Sequence, residues 1–219
     1  MNKLIRCILI DLDGTLINSG PDLIDSLNFV LKKQNLQIVK SDVIGSLVGG
    51  GAASMIEKAY RYLNLDLPQN KMGEMINDFL DFYYKNCDMK SHLYSTVYNT
   101  LEILKPKFKI ALCTNKKQYI SEKILKSFKI DGFFDYVLGS SPNLKLKPNT
   151  DMLEHCLKKC NANPESSVMI GDSSNDIIPA KQLSMKSIFV SYGYGVQSES
   201  KEADYVVDSF KKVIEVIKS

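Results

Sequence analysis

Two carboxylates stand one residue apart in the short sequence Ile10–Thr15, IDLDGT, directly after an apolar stretch. Asp11 and Asp13 repel each other, and this repulsion costs free energy unless a cation or a shared proton relieves it. A buried strand that ends in such a pair therefore indicates a site that binds a positive group or carries out chemistry.

Polar side chains also follow three later apolar stretches. They are Thr114-Asn115, then Ser140-Ser141 with Lys145 and Lys147, and finally Asp172 to Asp176 in GDSSND. One such group alone is typical of an ordinary turn. Ligands of open parallel sheets bind at the carboxyl ends of the strands, so four groups in this position predict one shared pocket.

The residue types in this pocket favour phosphoryl transfer. Four carboxylates, those of Asp11, Asp13, Asp172 and Asp176, would make it strongly negative, and Mg²⁺ prefers such oxygen ligands. A hydroxyl, backbone amides and a lysine supply donors for an anion beside the metal. A carboxylate facing a metal-bound oxyanion suits phosphoryl transfer. No His stands beside a Ser or Cys in these loops, which disfavours a serine or cysteine hydrolase.

The elements that must position these residues alternate along the chain. Apolar runs predict strands at Leu4–Ile10, Phe108–Cys113, Tyr136–Leu138, Val168–Ile170, Ile188–Val190 and, more weakly, Tyr205–Val207. Helical patterns lie between and after them, at Thr96–Leu104, Gln118–Phe128, Asp151–Lys159, Ser174–Leu183 and Phe210–Lys218. This order predicts an α/β fold with a Rossmann-like, doubly wound and mostly parallel sheet.

The long segment between the first two strands is the exception. From Gly20 to Asp88 the apolar spacing is helical throughout, and the segment is far longer than a strand crossover needs. We expect residues 18–92 to form an inserted all-helical cap domain and residues 1–17 and 93–219 to form the α/β core. The hinges would lie near Asn18–Gly20 and Met89–Ser95, although a helical decoration that never moves is the alternative.

Composition excludes several classes of protein. The 219 residues carry 28 basic and 25 acidic side chains, a net charge of +3, which is too balanced to indicate nucleic-acid binding. No apolar segment is long enough to span a bilayer, and no signal peptide is recognisable. Cys156 and Cys160 stand four residues apart but lack a second ligand pair for a metal, which favours core packing. We expect a cytoplasmic protein that is a monomer or a homodimer.

Four short motifs carry a resemblance to a known family. DLDGT, CTNK, KLKP and GDSSND, in this order, resemble the four motifs of the haloacid dehalogenase superfamily of phosphatases. The segments Asp11–Leu23 and Leu47–Ala59, together with the late Ser191–Gly195, resemble phosphoglycolate phosphatases in particular. The similarity extends over essentially the whole chain.

The resemblance implies a role for each carboxylate. Asp11 would be the nucleophile that becomes an aspartyl phosphate, and Asp13 would protonate the leaving oxygen and later deprotonate the attacking water. Mg²⁺ would be held by Asp11, the backbone carbonyl of Asp13 and Asp172. Asp176, one helical turn beyond Asp172, is expected to face the same way, and it would orient these ligands or bind the ion through a water.

The resemblance also implies phosphate-binding residues. Thr114 and Asn115 would bind the transferring phosphoryl group through a hydroxyl and a backbone amide. Lys147, the lysine before Pro148, would contact the same group, and Lys145 is its rival. Gly49, Gly50 and Gly51 precede a helical stretch, so their free amides would meet a substrate carboxylate unless they are only a flexible loop.

We therefore expect a Mg²⁺-dependent phosphatase of a small phosphorylated metabolite, most of all 2-phosphoglycolate. A pyrophosphatase or a broader small-metabolite phosphatase on the same core is the nearest alternative. A phosphosugar mutase and a silent module that only binds a phosphorylated ligand follow. A dehalogenase is disfavoured because Asp13 is present to handle protons.

Overall fold

The computed structural model describes residues 4–218, which form two compact units. One unit contains the described residues of Met1–Asn18 and His92–Ser219, and the other is Ser19–Ser91. The larger unit is therefore built from two separate stretches of sequence. The chain leaves this unit after Asn18 and returns to it at His92.

Strands are confined to the larger unit within the described residues. They are β1 Cys7–Ile10, β2 Ile17–Asn18, β3 His92–Leu93, β4 Lys109–Lys117, β5 Tyr136–Ser140, β6 Ser167–Gly171, β7 Lys186–Val190 and β8 Tyr205–Val207. The α-helices of both units are α1 Gly20–Lys33, α2 Ile44–Leu47, α3 Gly51–Tyr62, α4 Met72–Asn86, α5 Val97–Leu104, α6 Gln118–Ser127, α7 Asp151–Lys159, α8 Ser174–Gln182 and α9 Val213–Lys218.

Six strands form one parallel sheet in the order β5-β4-β1-β6-β7-β8. The central strand β1 pairs with β4 on one side and β6 on the other, and every residue of Cys7–Ile10 is buried. Unbroken apolar strands suit a sheet that is buried on both faces. The predicted doubly wound α/β fold is confirmed.

Besides small shifts at the ends of other elements, the larger unit differs from the prediction in β4 and in two short strands. Strand β4 extends four residues beyond the predicted Cys113, to Lys117, so that Thr114 and Asn115 belong to the strand. The short strands β2 and β3 were not predicted; they pair antiparallel, Ile17 with Leu93 and Asn18 with His92. Two residues are too short a stretch to show a strand pattern in the sequence.

One core cluster lies on the α7 side of the sheet. It joins β1, β4 and β6 residues to α7 through apolar side chains, sulfur-containing ones among them: Cys7, Cys113, Met152, Cys156, Cys160 and Met169. All five cysteines of the chain are buried free thiols. Cys156 and Cys160 therefore serve as core residues, as the sequence favoured.

The smaller unit contains helices α1 to α4 and two short 3₁₀ helices, Ser41–Val43 and Gln69–Lys71, within the described residues. Its helical patterns are confirmed as α1, α3 and α4, whose inward residues include Leu27, Met55 and Phe79. The rings of Phe29 in α1 and Phe82 in α4 stack with centroids 4.5 Å apart. Packing between helices, rather than a sheet, thus holds this unit together.

Candidate active site

Three adjacent strands bring the predicted carboxylates to one edge of the sheet. Asp11 follows β1, Thr114 lies near the end of β4, and Asp172 follows β6. Because β1 lies between β4 and β6 and all three are parallel, their carboxyl ends meet at the same edge. The residues after these strands therefore share one site.

The carboxylates of Asp11, Asp172 and Asp176 form a buried cluster. One oxygen of each lies within 4.8 Å of those of the others. Burial raises the pKa of Asp11 to about 6, although the neighbouring Lys147 ammonium opposes the shift. Burial, with Asp176 and Asp11 beside it, also raises the pKa of Asp172 well above its usual range. The cluster therefore carries negative charge in a place that disfavours it.

Lys147 is the ammonium group that contacts this cluster. Its Nζ atom donates to the Oδ1 atom of Asp11 at 2.9 Å and to the Oδ1 atom of Asp176 at 2.5 Å. Burial alone would lower the pKa of Lys147, but Asp11 and Asp176 more than offset burial and raise it. Lys147 is thus a fixed positive charge beside Asp11. Lys145, its predicted rival, is exposed.

Asn115 positions Lys147 through the backbone. Its Oδ1 atom accepts from the Lys147 N–H at 2.9 Å, and its Nδ2 atom donates to the Lys147 carbonyl at 2.8 Å. This side-chain pairing was not foreseen, because the sequence suggested only a backbone amide of Asn115 for phosphate. Because the amide both donates to and accepts from the Lys147 backbone, it fixes the position of the loop that carries Lys147.

Asp13 is outside the cluster of Asp11, Asp172 and Asp176 and pairs with Lys116. The Lys116 Nζ atom is 3.0 Å from the Oδ1 atom of Asp13, and the Lys116 side chain is 5% exposed. The backbone N–H of Lys116 also donates to the Oγ1 atom of Thr114 at 3.3 Å. Lys116 stands inside the CTNK motif, but sequence reasoning gave it no role, because the reach of a lysine side chain cannot be read from its neighbours.

Glycines hold the backbone close around Asp172. A Cβ atom at Gly14, whose φ is +79°, would lie 2.0 Å from the Asp172 Oδ2 atom, and one at Gly193 would lie 2.3 Å from the Asp172 Cβ atom. The backbone N–H of Tyr194 then donates to the same Oδ2 atom at 2.6 Å. The glycines therefore let two loops approach Asp172 closely, and one of those loops holds its carboxylate by a hydrogen bond.

Asp176 joins the cluster by a route that the sequence interpretation got wrong. Helix α8 begins at Ser174, so Asp172 precedes the helix and does not share a helical face with Asp176. Ser173 is the residue before the helix, and its backbone N–H and hydroxyl both donate to the Asp176 Oδ2 atom, at 3.3 and 3.2 Å. This capping box leaves the Oδ1 atom of Asp176 to accept from Lys147.

The three predicted glycine residues of the smaller unit lie where the connection from α2 enters α3. Val48, Gly49 and Gly50 form the connection, and Gly51 is the first residue of α3. Gly50 has a φ of +80°, and it precedes the helix without a side-chain cap. The backbone amides at the start of α3 are therefore the groups that the sequence analysis expects to meet a substrate carboxylate.

The donor set of the larger unit fits a divalent cation. Three carboxylates converge, and within the described residues Lys147 is the ammonium that contacts them, through Asp11 and Asp176. The raised pKa values of Asp11 and Asp172 follow from burial and mutual repulsion, and a bound cation would relieve both. Oxygen ligands alone favour Mg²⁺ over softer metals.

No helix in residues 4–218 has the length and apolar character that crossing a bilayer requires.

The chain is similar to known proteins over most of its length. The model of the haloacid dehalogenase-like hydrolase family matches residues 8–190. A phosphoglycolate phosphatase of Colwellia psychrerythraea is 32% identical over 213 residues, 94% of each chain. One of Vibrio parahaemolyticus is 33% identical and covers 97% of this chain and 96% of its own. The crystal structure of a predicted phosphoglycolate phosphatase from Haemophilus somnus superposes with a TM-score of 0.90 at 29% identity, covering 97% of both chains.

Proposed function

This chain belongs to the haloacid dehalogenase-like hydrolase family, and from that premise we propose that it hydrolyses 2-phosphoglycolate to glycolate and inorganic phosphate. The coarser statement, a phosphatase of small phosphorylated compounds, already follows from the family and from relatives that are 31–33% identical. The choice of 2-phosphoglycolate rests on the names of those relatives.

The observation that carries the proposal is the contact between Lys147 and Asp11 inside a buried carboxylate cluster. The Lys147 ammonium lies 2.9 Å from the Asp11 carboxylate, at the end of the central strand. A carboxylate is a competent nucleophile toward phosphorus when positive charge stabilises the transferring group. Lys147 provides such charge at the atom where the attack would begin.

The first half of the reaction uses Asp11 and Asp13. An Asp11 oxygen attacks phosphorus, the bond from phosphorus to the ester oxygen breaks, and that oxygen takes a proton from Asp13 and leaves as an alcohol. The product on the protein is an aspartyl phosphate. Asp13 is suited to this task because it stands two residues from Asp11 and outside the cluster that Asp11 shares with Asp172 and Asp176.

The second half restores the protein. Asp13 accepts a proton from a water molecule whose oxygen attacks the phosphorus, and the bond to Asp11 breaks to release inorganic phosphate. Throughout, the Lys147 ammonium faces the charge that develops on the phosphoryl oxygens. Thr114, buried near the end of β4, would donate its hydroxyl to the same oxygens.

We propose Mg²⁺ as the cofactor, held by Asp11, the Asp13 carbonyl and Asp172, with Asp176 beside them. When bound, it would supply positive charge to the carboxylate cluster and to the phosphoryl oxygens. The close approach of the backbone at Gly14 and Gly193 and the hydrogen bond from the Tyr194 N–H support this assignment, because they hold the Asp172 carboxylate in place without the metal.

We further propose that the helical unit Ser19–Ser91 is a cap that selects the substrate. The free amides at the start of α3, with Gly49, Gly50 and Gly51, would bind a carboxylate of the substrate. This assignment comes from the resemblance of the segment to phosphoglycolate phosphatases and from the uncapped start of α3.

The test is phosphate release from a panel of small phosphate esters and pyrophosphate, with Mg²⁺ and with a chelator. We expect Mg²⁺-dependent release, fastest from 2-phosphoglycolate, and its loss in Asp11→Asn but not in the exposed control Asp208→Asn. Faster release of phosphate from another ester or from pyrophosphate would refute the proposal that 2-phosphoglycolate is the substrate. Absence of release from a folded protein would refute the reaction and favour a mutase or a silent binding module.

A further inference from the structure

Lys116 is a buried lysine that the proposed reaction does not use. Its side chain is 5% exposed, and its ammonium lies 3.0 Å from the Asp13 Oδ1 atom. Lysine is almost never buried unless it is paired, because removing its charge from water is costly. The pair with Asp13 accounts for this burial, and it fixes the ammonium beside the residue that is proposed to protonate the leaving oxygen.

The two buried lysines contact different carboxylates of the site. Lys147 contacts Asp176 and Asp11, the residue assigned to the attack on phosphorus. Lys116 contacts Asp13, the residue assigned to the leaving oxygen. If the reaction is as proposed, Lys147 faces the phosphoryl group and Lys116 faces the organic part of the substrate.

If Asp13 protonates the leaving oxygen, a carboxylate on the neighbouring carbon comes within reach of Lys116. A general acid lies about 3 Å from the oxygen it protonates, and the Lys116 Nζ atom lies 3.0 Å from Asp13. The ammonium is thus roughly 6 Å or less from the leaving oxygen when both share the near carboxylate oxygen. In 2-phosphoglycolate the carboxylate is attached to the carbon that bears this oxygen, and it extends into that interval.

We propose that Lys116 binds one oxygen of the carboxylate of the substrate's leaving group, so that the α/β core adds to the selection of esters with an acid group next to the ester carbon. The proposal rests on the proposed function for the placement of the substrate. An ammonium has three N–H donors, so Lys116 can hold Asp13 and the carboxylate together. A neutral leaving group offers no counter-charge to the Lys116 ammonium.

The test measures binding with no turnover, in an Asp11→Asn background with Mg²⁺ present. Calorimetry gives the Kd of 2-phosphoglycolate and of ethyl phosphate, in which a methyl group replaces the carboxylate. Lys116→Met should weaken binding of 2-phosphoglycolate by about 10- to 100-fold, because a charged hydrogen bond is lost. Its effect on ethyl phosphate should be less than about 3-fold, since no charged contact is lost there.

Two further variants make the result specific. Lys117→Met removes the neighbouring exposed lysine and should leave both Kd values unchanged. Lys116→Gln keeps a donor for Asp13 but removes the charge, and it should reproduce the loss for 2-phosphoglycolate even where Lys116→Met folds poorly. Equal weakening of both ligands by Lys116→Gln would overturn the proposal, because Lys116 would then act only by holding Asp13.

The failure of this inference can be separated from failure of the proposed function. Turnover by the protein with Asp11 intact tests the reaction, whereas the two Kd values test Lys116. Turnover of 2-phosphoglycolate with an unchanged Kd ratio in Lys116→Gln would keep the reaction and overturn the inference. If the Asp11→Asn parent binds 2-phosphoglycolate no more tightly than ethyl phosphate, the inference is overturned as well.

Discussion

The Nζ atom of Lys147 lies 2.9 Å from the Oδ1 atom of Asp11, although the two residues are 136 positions apart in the chain. Asn115 fixes this contact, because its side-chain amide holds the Lys147 backbone by two hydrogen bonds. Three strand ends thus cooperate: β1 supplies the carboxylate, β4 supplies the amide, and the loop after β5 supplies the ammonium. The position of the proposed nucleophile and of its counter-charge is therefore set by backbone contacts as well as by attraction.

Replacing Lys147 should damage both stability and activity. Lys147→Met leaves the buried carboxylates of Asp11 and Asp176 without their ammonium, and breaking a buried ion pair costs about 3–5 kcal/mol. Loss of a charge that stabilises the transition state should lower kcat at least about 100-fold. Urea unfolding and phosphate release measure the two effects. Lys145→Met, at an exposed neighbour, should change neither, and equal effects at both positions would contradict the assignment of Lys147.

The raised pKa of Asp11 predicts how stability depends on pH without metal. Burial raises this pKa from 3.8 to about 6, so the folded protein binds a proton more tightly than the unfolded chain does. Stability should therefore fall as the pH rises from about 4 through about 6, where the unfolded and then the folded carboxyl ionise. Asp135 runs the other way, because its pKa is lowered to about 2.

Asp11→Asn isolates this contribution. In the presence of a chelator at pH 7.5 the variant should be more stable than the parent by about 1–3 kcal/mol, because it lacks the buried charge. The difference should shrink toward pH 4, where the parent carboxyl is protonated. Chemical unfolding at both pH values checks this. A difference that stays constant with pH would show that the charge of Asp11 is not its cause.

The sequence predicted correctly the site residues whose positions are set by the ends of strands. Asp11, Thr114 and Asp172 follow apolar runs, and the carboxyl ends of adjacent parallel strands meet at one edge of the sheet, which is enough to bring these residues together. For Asp176 the sequence predicted the right neighbour for the wrong reason: Asp176 does lie beside Asp172, but the four-residue spacing suggested one helical face, whereas α8 begins only at Ser174. The two carboxylates meet because a capping box turns Asp176 back toward the strand end.

The sequence did not predict which groups the Lys116 and Asn115 side chains contact. Nothing local tells whether Lys116 reaches Asp13 or solvent, or that the Asn115 amide pairs with the backbone of a loop 32 residues away. Such contacts depend on register and on the extension of β4 to Lys117, and strand ends are the least certain part of a pattern-based prediction. The strands β2 and β3 were not predicted either, because each has only two residues and shows no pattern in the sequence.

Gly193 should be essential for the position of Asp172. In Gly193→Ala the new Cβ atom would lie 2.3 Å from the Asp172 Cβ atom and 2.5 Å from the Gly14 carbonyl oxygen, so the backbone must shift. We expect a loss of stability of about 1–3 kcal/mol and a Mg²⁺ affinity that is about 10- to 100-fold weaker. The rise of Tm with added Mg²⁺ measures the second effect.

Gly132→Ala is the matched control for this change. A Cβ atom at Gly132 meets nothing within 4 Å, so this variant should keep the full response of Tm to Mg²⁺. A normal Mg²⁺ response in Gly193→Ala would show that Asp172 does not need its glycine cradle.

Asp22 should stabilise the helical unit by holding its two ends together. Its buried carboxylate accepts from the Lys90 N–H at 3.0 Å, the Ser91 N–H at 2.8 Å and the Ser91 hydroxyl at 2.6 Å. Asp22→Ala leaves these donors without their acceptor, at a cost of about 1–3 kcal/mol for each one that stays buried. Asp25→Ala is the control, because it removes only an exposed ion pair with Lys90, and such pairs contribute little. Hydrogen exchange of the α1 and α4 amides should accelerate in Asp22→Ala and stay close to the parent in Asp25→Ala. Equal acceleration in both would mean that the charge near Lys90, and not the buried acceptor at Asp22, keeps the unit closed.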